Sequence, residues 1–471
     1  MFLNRIKRIH FIGIGGIGMS GIAEILKEKK FQITGSDISR NNNTNRLKKL
    51  GITILIGHKK ENIKNAQIVV FSSAIKNNNI EIKEAKKLNL TIISRAAMLA
   101  EILRFKSSIT VAGSHGKTTT TSIIASIFES SNLDPTIING GIINQYKTNA
   151  KLGKGEWIIA EADESDGSFT VLPSIISIIN NIDQEHVDFY GNFENLKNAF
   201  IRYAQNIPFF GFISLCIDDK NVNLIKNSLN EKRIITFGLS KNANVTCKNI
   251  KIISRNIKSF TRFDVVINFG KIEVIKNISL ALIGNHNISN ALAAISVAIG
   301  VGIKKSNIKK GLKNFEGVNR RSTIIYNENN IKVFDDYAHH PKEIQCTLKS
   351  LKLITKGRII IIHQPHRFSR LKLLFRDFSN CFEYTDYLFL MPVYAAGEKR
   401  IGNIDSLELA KKIKNCKVRC NKDNQEMFSE IISVASPGDS IAFLGAGSIT
   451  KTARNFVQYI NNKKTKIVIN D

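Results

Sequence analysis

The sequence predicts an α/β protein of three domains, each built on a mainly parallel sheet. The chain has 471 residues, enough for about three domains of roughly 150 residues each. Short apolar runs, typical of buried parallel strands, alternate with helix-like stretches along the chain. Two glycine-rich turns, Gly13–Gly18 and Gly113–Gly116, each follow such a run and open a helix-like stretch. We expect the domains to comprise residues 1–106, 107–316 and 317–471.

Composition limits the class of partner. Hydrophobic residues make up 43% of the chain, which allows a sizeable core in each domain. The net charge of +29 suits a nucleic-acid-binding protein. However, the excess is scattered Lys, accompanied by abundant Asn and Ile, and no basic block is interleaved with aromatic residues. We therefore expect a compositional drift, such as an AT-rich genome produces, and no nucleic-acid partner. The positive charge would still attract anionic nucleotides.

Neither the cysteines nor the apolar runs suggest a metal-finger, secreted or membrane protein. The six cysteines form no pair of pairs with metal-ligand spacing, which favours reduced thiols in the cytoplasm. No apolar run approaches the roughly 18 residues of a membrane span. The first residues are interrupted by charge and lack the pattern of a signal peptide. We expect a cytoplasmic protein without membrane insertion.

The first segment contains a glycine loop that suits a diphosphate. Its predicted strands are Arg8–Ile12, Phe31–Thr34 and Ile68–Phe71. Gly13, Gly15 and Gly18 follow the first strand in the spacing G-x-G-x-x-G, and Asp37 ends the next one, as in Rossmann-like dinucleotide-binding domains. An NAD-linked oxidoreductase is one interpretation. The extra Gly16 and a separate phosphate loop 100 residues later fit that class poorly, and UDP also carries a diphosphate.

The second segment opens with a loop that suits the phosphates of a nucleoside triphosphate. The loop is Gly113-Ser114-His115-Gly116-Lys117-Thr118-Thr119. It lies between a predicted strand, residues 109–112, and a predicted helix, residues 121–128, so backbone N–H groups and the helix dipole point at one place. Lys117 can add a charge at the terminal phosphates, and the Thr118 hydroxyl can hold Mg²⁺. The spacing G-x-x-G-K-T is two residues tighter than the common pattern, which has a Gly where this chain has Val111.

Acidic and histidine residues follow the next two predicted strands of this segment. Trp157–Glu161 ends in an acid and continues into Asp163, Glu164 and Asp166. So many acids beside an anionic nucleotide would repel it unless a cation intervened, which favours a metal site. The strand 175–181 leads to another group, which is Asp183, Glu185, His186 and Asp188. A strand-rich stretch follows over 212–283, and then a helix-like stretch over 290–298.

The third segment has two polar clusters after predicted strands. Its predicted strands are Ile331–Phe334, Arg358–Ile362, Tyr387–Leu390 and Ser440–Leu444. One cluster, Asp335–Pro341, includes Asp336 and His339, and the other, His363–Arg370, includes His366. Arg367 and Arg370 can clamp a carboxylate or a phosphate with forked donors. The carboxyl edge of a parallel sheet is where ligands bind.

Taken together, these residues resemble the Mur ligases of peptidoglycan synthesis nearly from end to end. The shared motifs are Gly15–Met19, Ser72–Ile75, Gly113–Thr119, Ala160–Asp166, Asn181–Tyr190, His286–Ala291, Gly317–Arg321, Asp335–Pro341, Gln364–Arg370, Val393–Glu398 and Gly445–Gly447. The resemblance implies a Rossmann-like UDP-sugar domain and a central P-loop-type ATPase domain with a parallel sheet and a smaller β-rich part. It also implies a Rossmann-like C-terminal domain that closes over the site. The implied reaction joins L-alanine to UDP-N-acetylmuramate through an acyl phosphate and releases ADP and phosphate from ATP.

The resemblance also implies roles for individual residues. Those implied at the UDP-sugar are Gly15, Gly16, Ile17, Gly18, Asp37, Ser72 and Ser73. Those implied at ATP are Gly113, Ser114, His115, Gly116, Lys117, Thr118, Thr119 and Arg320, together with His286, Asn287 and Asn290, which are implied near adenine. Those implied at the amino acid are His339, His366, Arg367 and Arg370. Mg²⁺, or Mn²⁺ in its place, is implied at Thr118, Glu161 and His186, and catalysis at Lys117, Glu161, His186, Asp336 and Arg367.

Two departures from the family pattern bear on these roles. The family usually has Glu at the position of Asp183 and Asp at the position of Glu185, so the direct role of either acid stays open. Several sister ligases have a carbamylated lysine where this chain has Phe200, and that feature is not carried over. The alternative within the family is a recycling ligase that adds a preformed tripeptide to the same sugar. The recycling ligase tends to have Tyr where this chain has Ser165, and this difference favours the alanine ligase. A nucleotide-binding protein without turnover is disfavoured by the acid and histidine clusters.

Overall fold

The chain folds into three sheets flanked by helices. The computed structural model describes residues 6–72, 74–255, 258–420 and 423–468. The chain divides into two compact units. The first unit comprises Met1–Ile250, Phe263–Leu280 and Ser289–Glu316, and the second comprises Lys251–Arg262, Ala281–Ile288 and Gly317–Asp471. The α/β class is confirmed.

The first sheet has five parallel strands in the order β3-β2-β1-β4-β5. Its elements are β1 (Arg8–Ile12), α1 (Ile17–Glu28), β2 (Gln32–Asp37), α2 (Asn42–Lys49), β3 (Thr53–Ile56), β4 (Ile68–Phe71), α3 (Ile80–Lys87), β5 (Thr91–Ser94) and α4 (Arg95–Leu103). Strands β2 and β3 lie on one side of β1, and β4 and β5 lie on its other side, so the order in which strands are added reverses between β1 and β4. A crevice for a ligand forms at such a switch point, just beyond the carboxyl ends of the strands. The glycine loop follows β1 at this edge.

The second sheet has ten strands in the order β15-β14-β13-β12-β11-β10-β6-β9-β7-β8. Its elements are β6 (Ser107–Ala112), α5 (Lys117–Ser130), β7 (Thr136–Ile143), β8 (Thr148–Lys151), β9 (Trp157–Glu161), β10 (Ile176–Ile179), α6 (Val187–Tyr190), α7 (Phe193–Gln205), β11 (Phe212–Cys216), α8 (Lys220–Lys226), β12 (Ile234–Phe237), β13 (Val245–Arg255), β14 (Lys258–Asn268), β15 (Ile272–Leu280), α9 (Asn285–Val301) and α10 (Lys305–Asn314). β6 lies between β9 and β10, and it is parallel to both. The phosphate loop and the two acidic segments therefore leave the same edge from neighbouring strands.

The first two sheets share one hydrophobic core. Buried side chains from Ile9 in β1 to Leu229 after α8 form a single cluster. Helix α1 packs against β7 and β8 of the second sheet. Close approach is possible because position 21 is Gly, where a Cβ would lie only 3.0–3.1 Å from Asn149 and Ala150. Within the first unit, the segment bearing the glycine loop is therefore packed directly on the segment bearing the phosphate loop.

The third sheet has six strands in the order β16-β17-β21-β18-β19-β20. Its elements are β16 (Thr323–Glu328), β17 (Ile331–Asp336), α11 (Pro341–Lys352), β18 (Ile359–His363), α12 (Phe368–Leu373), α13 (Phe375–Asn380), β19 (Tyr387–Leu390), α14 (Ser406–Lys412), β20 (Lys417–Cys420), α15 (Asn424–Val434), β21 (Ser440–Leu444) and α16 (Ile449–Val468). Only β16 pairs antiparallel to its neighbour. Two buried clusters, one containing Phe378 and the other Phe456, pack on this sheet.

The predicted strands of all three segments are present, with ends that differ by a few residues. The helix predicted over 121–128 begins earlier, at Lys117, because Gly116 with φ +80° ends the loop there. The boundaries at 106 and 316 stay predictions. Among the described residues, no helix is long and apolar enough to cross a membrane. The cytoplasmic location stays a prediction.

Candidate active site

The glycine loop after β1 is shaped by Asp37. The N–H of Gly15 donates to Asp37 Oδ2 at 2.8 Å. A Cβ on Gly15 would lie 2.5–2.9 Å from Asn41, Asp37 and Thr44, so only glycine fits at this position. Gly16 is the residue before helix α1, whose first turn contains no acidic side chain. The predicted sugar-nucleotide residues Gly15–Gly18 therefore form an open helix N-terminus suited to an anion, while Asp37 holds the loop itself.

A serine directly after β4 lies at the same crevice. The N–H of Ser72 donates to the Ile12 carbonyl at 3.2 Å. A Cβ on Gly13 would lie 3.2 Å from Ser72 Cβ, and Gly13 has φ +79°. Ser72 thus lies at the predicted diphosphate edge. The other predicted serine, Ser73, lies outside the described residues.

A buried carboxylate of helix α3 supports this loop from behind. The Glu81 side chain is fully buried and accepts from the Ser36 hydroxyl at 2.6 Å. The Ser36 carbonyl in turn accepts the N–H groups of Gly13 and Ile14 at 2.8 and 3.0 Å. Burial opposes the charge of Glu81, but hydrogen bonds from His10, Ser36 and Asn62 outweigh it and lower its pKa to about 2. Glu81 is therefore a fixed anion behind the glycine loop.

The phosphate loop has the backbone geometry expected of an anion cradle. Gly113 has φ +134° and Gly116 has φ +80°, conformations that favour glycine. A Cβ on Gly116 would lie 2.4 Å from Asn290 Oδ1 and 3.2 Å from Asn180 Nδ2. The Thr120 hydroxyl donates to Asn290 Oδ1 at 3.2 Å. The predicted ATP residue Asn290 therefore lies against the loop, and Thr119 is buried in the first turn of α5.

The middle of the phosphate loop is tied to the segment after β10. Ser114 Oγ accepts the N–H of Asp183 at 2.9 Å, and the N–H of His115 donates to Asn181 Oδ1 at 2.7 Å. His115 Nε2 lies 3.1 Å from Asp183 Oδ2. Asp183, whose role the sequence left open, thus holds the phosphate loop. Glu185 is directed elsewhere, towards His186.

Lys117 has a counter-ion that sequence analysis did not identify. Its ammonium lies 2.9 and 3.0 Å from the carboxylate oxygens of Glu164 and 2.7 Å from the Gly113 carbonyl. Burial lowers the pKa of Lys117, but Glu164, Asp163 and Glu161 outweigh it and raise that pKa. Burial raises the pKa of Glu164 to about 7, against the pull of Lys117. Lys117 is therefore a fixed cation at neutral pH, and Glu164 is its buried partner.

Thr118 and Glu161 form a second contact at the same edge. The Thr118 hydroxyl donates to Glu161 Oε2 at 2.9 Å, and the N–H of Gly140 donates to the same oxygen at 2.8 Å. A Cβ at position 140 would lie 2.6–2.9 Å from the Glu161 carboxylate, so glycine there lets the backbone approach that carboxylate closely. The structure therefore brings together two of the three predicted metal ligands.

The third predicted metal ligand, His186, lies beside the carboxylates of Glu164 and Glu185. Its Nε2 is 3.8 Å from Glu164 Oε1 and 3.8 Å from Glu185 Oε2. Ligand atoms of Glu164, Glu185 and His186 lie within 4.8 Å of one another. His186 has φ +55°, an uncommon backbone conformation for this residue type. Carboxylate and hydroxyl oxygens are donors that Mg²⁺ prefers, so the donor set on this edge fits a divalent cation.

In the second unit, Asp336 ends β17 as a buried carboxylate. It accepts the N–H of Ser322 at 2.7 Å, the Ser322 hydroxyl at 3.0 Å and the N–H of Ala338 at 2.7 Å. Burial raises the pKa of Asp336 despite these bonds. Arg320 donates to the Gly445 carbonyl at 2.6 Å and lies over the Tyr337 ring at 4.7 Å. Asp336 and Arg320 thus organise the carboxyl edge of the third sheet.

The histidines and arginines predicted at the amino acid lie at this same edge. His339 Nδ1 lies 3.2 Å from Glu343, and the His366 ring stacks on Tyr394 with centroids 5.5 Å apart. The His339 and His366 rings are 5.9 Å apart. Burial, together with Arg370 and Arg367, lowers the pKa of His366 to about 4. His366 is therefore a neutral imidazole at neutral pH.

The two arginines differ in how the backbone presents them. Arg370 Nη1 lies 3.2 Å from His366 Nδ1. Arg367 has φ +70° and is the residue just before α12. Such a conformation in a residue with a side chain is held only by its surroundings, and here the N–H of Arg367 donates to the Tyr394 carbonyl at 2.9 Å. The predicted clamp is thus presented at the start of a helix.

The predicted adenine residues are divided between the units. Asn290 belongs to the first, whereas His286 and Asn287 belong to the second. Burial and Arg321 lower the pKa of His286 to about 4. Asn287 Nδ2 donates to the Ile283 carbonyl at 2.9 Å. A joint role of these three residues at adenine stays a prediction.

Comparisons with known proteins identify the family. Residues 8–107 match the model of the Mur ligase family catalytic domain, 111–298 the Mur ligase middle domain and 320–447 the Mur ligase glutamate ligase domain. The UDP-N-acetylmuramate–L-alanine ligase of Agrobacterium fabrum is 47% identical over 452 residues, covering 94% of this chain and 95% of that protein. The crystal structure of UDP-N-acetylmuramate-alanine ligase from Thermotoga maritima superposes with a TM-score of 0.81 at 28% identity, covering 97% of this chain and 99% of that one. A murein peptide ligase from Psychrobacter arcticus shares the fold, with a TM-score of 0.69 at 22% identity over 96% of this chain and 98% of that one. The chain belongs to the Mur ligase family.

Proposed function

We propose that this protein joins L-alanine to the lactyl carboxylate of UDP-N-acetylmuramate at the expense of ATP, in the synthesis of peptidoglycan precursors. The observation that supports it is the presence of two anion-binding turns in one compact unit, Gly13–Gly18 and Gly113–Thr119. One suits the diphosphate of the sugar nucleotide, and the other suits the phosphates of ATP. Members of the family use ATP, and the relative from Agrobacterium fabrum bears the name of this reaction.

The reaction requires activation of a carboxylate, which is a poor electrophile. Transfer of the γ-phosphoryl group of ATP to the lactyl carboxylate gives an acyl phosphate and ADP. The amine of L-alanine then attacks the acyl carbon, and orthophosphate leaves as the amide forms. Lys117 neutralises charge on the transferring group once the nucleotide replaces Glu164 as its partner. The Lys117 ammonium donates a hydrogen bond to the Gly113 carbonyl, so the loop already holds this lysine in place.

A divalent cation fits the acidic edge of the second sheet. Thr118 and Glu161 would hold Mg²⁺ near the phosphates, and His186 with Glu164 and Glu185 offers a second set of donors. The ion would supply charge that lets a carboxylate approach a polyphosphate. A neutral imidazole is a weaker ligand for Mg²⁺ than oxygen, so Mn²⁺ should also support the reaction.

The second unit provides the residues for the amino acid. The forked guanidinium groups of Arg367 and Arg370 suit the carboxylate of L-alanine. His366 is neutral and so does not repel the α-ammonium group. His339 lies beside it. Closure of this unit over the nucleotides would assemble the three substrates.

The test is a product assay with each substrate omitted in turn. The enzyme, Mg²⁺, ATP and UDP-N-acetylmuramate should release phosphate when L-alanine is added, and mass spectrometry should show ADP and the sugar nucleotide extended by one alanine. AMP and pyrophosphate as products would contradict the proposal. A parallel assay replaces L-alanine with the tripeptide. Turnover with the tripeptide alone would identify the recycling reaction instead.

A further inference from the structure

The side chain of Asn149 lies where helix α1 of the first sheet packs on the second sheet. Asn149 belongs to β8 and is fully buried. Its Nδ2 donates to the Ile17 carbonyl at 2.6 Å and to the Asn139 carbonyl at 3.4 Å. Its Oδ1 accepts from Arg46 Nη2 at 2.7 Å. One buried amide of the first unit therefore joins α1, β7 and α2 to β8.

One end of this connection is the anion-binding turn of the first sheet. Ile17 is the first residue of α1 and follows Gly16 directly. The backbone N–H groups of this turn are the ones that suit a diphosphate. A shift of α1 would therefore move a bound diphosphate with it. The hydrogen bond from Asn149 to the Ile17 carbonyl opposes such a shift, because a hydrogen bond is lost when its atoms move apart or out of line.

The other end of the connection is the phosphate loop with its candidate metal ligands. Asn139 Nδ2 donates to the Thr118 carbonyl at 3.3 Å. The next residue of β7, Gly140, donates its N–H to Glu161 Oε2. Two successive hydrogen bonds thus join Asn149 to the backbone of Thr118, and one further residue of β7 leads to Glu161.

Arg46 fixes the orientation of the Asn149 amide. A guanidinium can only donate, so the amide oxygen faces Arg46 and the amide nitrogen faces the two carbonyls. Arg46 Nη1 also donates to Glu24 Oε2 at 2.5 Å and to the Thr148 hydroxyl. Glu24 belongs to α1 and Thr148 to β8. The guanidinium therefore bridges the same two elements as Asn149 and holds its amide ready to donate.

The proposed reaction depends on the distance between the two anion-binding turns. The lactyl carboxylate of one nucleotide must come within roughly 3–3.5 Å of the γ-phosphate of the other, and an error of about 1 Å can lower the rate about 100-fold. Apolar packing between α1 and the second sheet stabilises their contact but is non-directional. Hydrogen bonds are directional, so the buried amide can define the relative position of the two turns more narrowly than the apolar contacts do.

We propose that Asn149 is a positioning residue for phosphoryl transfer, which holds the first turn of α1 at a fixed distance from the phosphate loop. This inference rests on the proposed function, because it takes one turn to hold the sugar nucleotide and the other to hold ATP. Asn149 acts through Ile17 and Asn139. Its loss therefore slows the chemical step more than it weakens the binding of either nucleotide.

The test separates binding from chemistry in Asn149→Leu, which keeps the approximate size of the side chain and removes its hydrogen bonds. Titration calorimetry gives the Kd of UDP-N-acetylmuramate alone and of Mg²⁺-ATP alone. Rapid-quench measurement of ADP, in a single turnover with L-alanine present, gives the rate of phosphoryl transfer. Each Kd should change less than about threefold, whereas the rate should fall about 10- to 100-fold.

The matched control is Tyr203→Phe, which also removes a buried hydrogen bond from the first unit. Tyr203 is fully buried, and its hydroxyl donates to the Thr110 carbonyl at 3.1 Å. This bond joins α7 to β6 and does not involve the first sheet. The control should lose stability by about 1 kcal/mol, as expected for one hydrogen bond, and keep the rate of phosphoryl transfer. An equal loss of rate in both variants would overturn the inference, because any buried hydrogen bond would then have the same effect.

The remaining outcomes separate this inference from the proposed function. An unchanged rate in Asn149→Leu, or a loss of rate no larger than its loss of affinity for either nucleotide, would overturn the role of Asn149. If Asn149→Leu does not fold, Asn149→Asp replaces it. Aspartate keeps an acceptor for Arg46 but lacks the amide donor, so the same difference between rate and affinity is expected. Failure of the unsubstituted protein to form ADP with the three substrates would instead contradict the proposed function.

Discussion

Replacement of the buried Glu81 by Gln should destabilise the protein in a pH-dependent way. Glu81 is fully buried, and its pKa is about 2 instead of its ordinary 4.5. A carboxyl whose pKa is lowered by folding stabilises the fold above its unfolded pKa, and this stabilisation is lost as the pH falls through the folded pKa. A difference of about 2.5 pKa units corresponds to about 3 kcal/mol at pH 7.

The same linkage gives the contribution of Glu81 to the free energy of unfolding in acid. At pH 3 the contribution of Glu81 should fall to about 1.5 kcal/mol, because the unfolded chain is then mostly protonated while the folded site remains mostly charged. The measurement is urea denaturation of the unsubstituted protein and Glu81→Gln at both pH values. The quantity to compare is the difference in the free energy of unfolding between them, since other carboxyl groups titrate in both proteins.

A matched control and a clear contrary result complete this test. Glu101→Gln changes a carboxyl that is 52% exposed and pairs with Arg104 on the surface, and it should leave stability unchanged at both pH values. A loss in Glu81→Gln that is the same at pH 7 and pH 3 would refute the reasoning. It would mean that shape, and not the charge of Glu81 behind the glycine loop, stabilises this site.

Three further variants test the proposed reaction. Lys117→Ala should lower turnover by on the order of 100-fold or more while the loop stays folded, and near-normal turnover would contradict its role at the phosphates. Replacing Arg367 and Arg370 by Lys should raise the KM for L-alanine more than the KM for ATP, whereas equal effects would point to domain closure. His186→Ala should raise the metal concentration needed for turnover and leave UDP-sugar binding nearly intact, and the reverse result would place His186 at the sugar.

The sequence predicted those features that depend on local order along the chain. A strand, a glycine turn and a helix follow one another around Gly113–Gly116, so the phosphate loop could be located from spacing alone. Asn290 could be placed at ATP only through family resemblance, because nothing local connects it to Gly116, against which it lies.

Partners that meet across long stretches of chain were not predictable. The run 163–166 contains three acids, and only the turn after β9 decides that Glu164 points back to Lys117. Arg95 looks like an ordinary helix start, and its partners Asp163 and Asp166 lie about 70 residues later in the chain. Physical pairing of this kind depends on how sheets pack, which local patterns do not encode.

The pairing of Lys117 with Glu164 has a consequence for competing anions. An empty phosphate loop attracts any small anion, but here an anion must first displace a buried carboxylate from the ammonium. Orthophosphate offers few contacts in return. A nucleoside triphosphate brings a chain of phosphates and a base, and so gains far more from the same displacement. The pair should therefore favour a nucleoside triphosphate over orthophosphate at this loop.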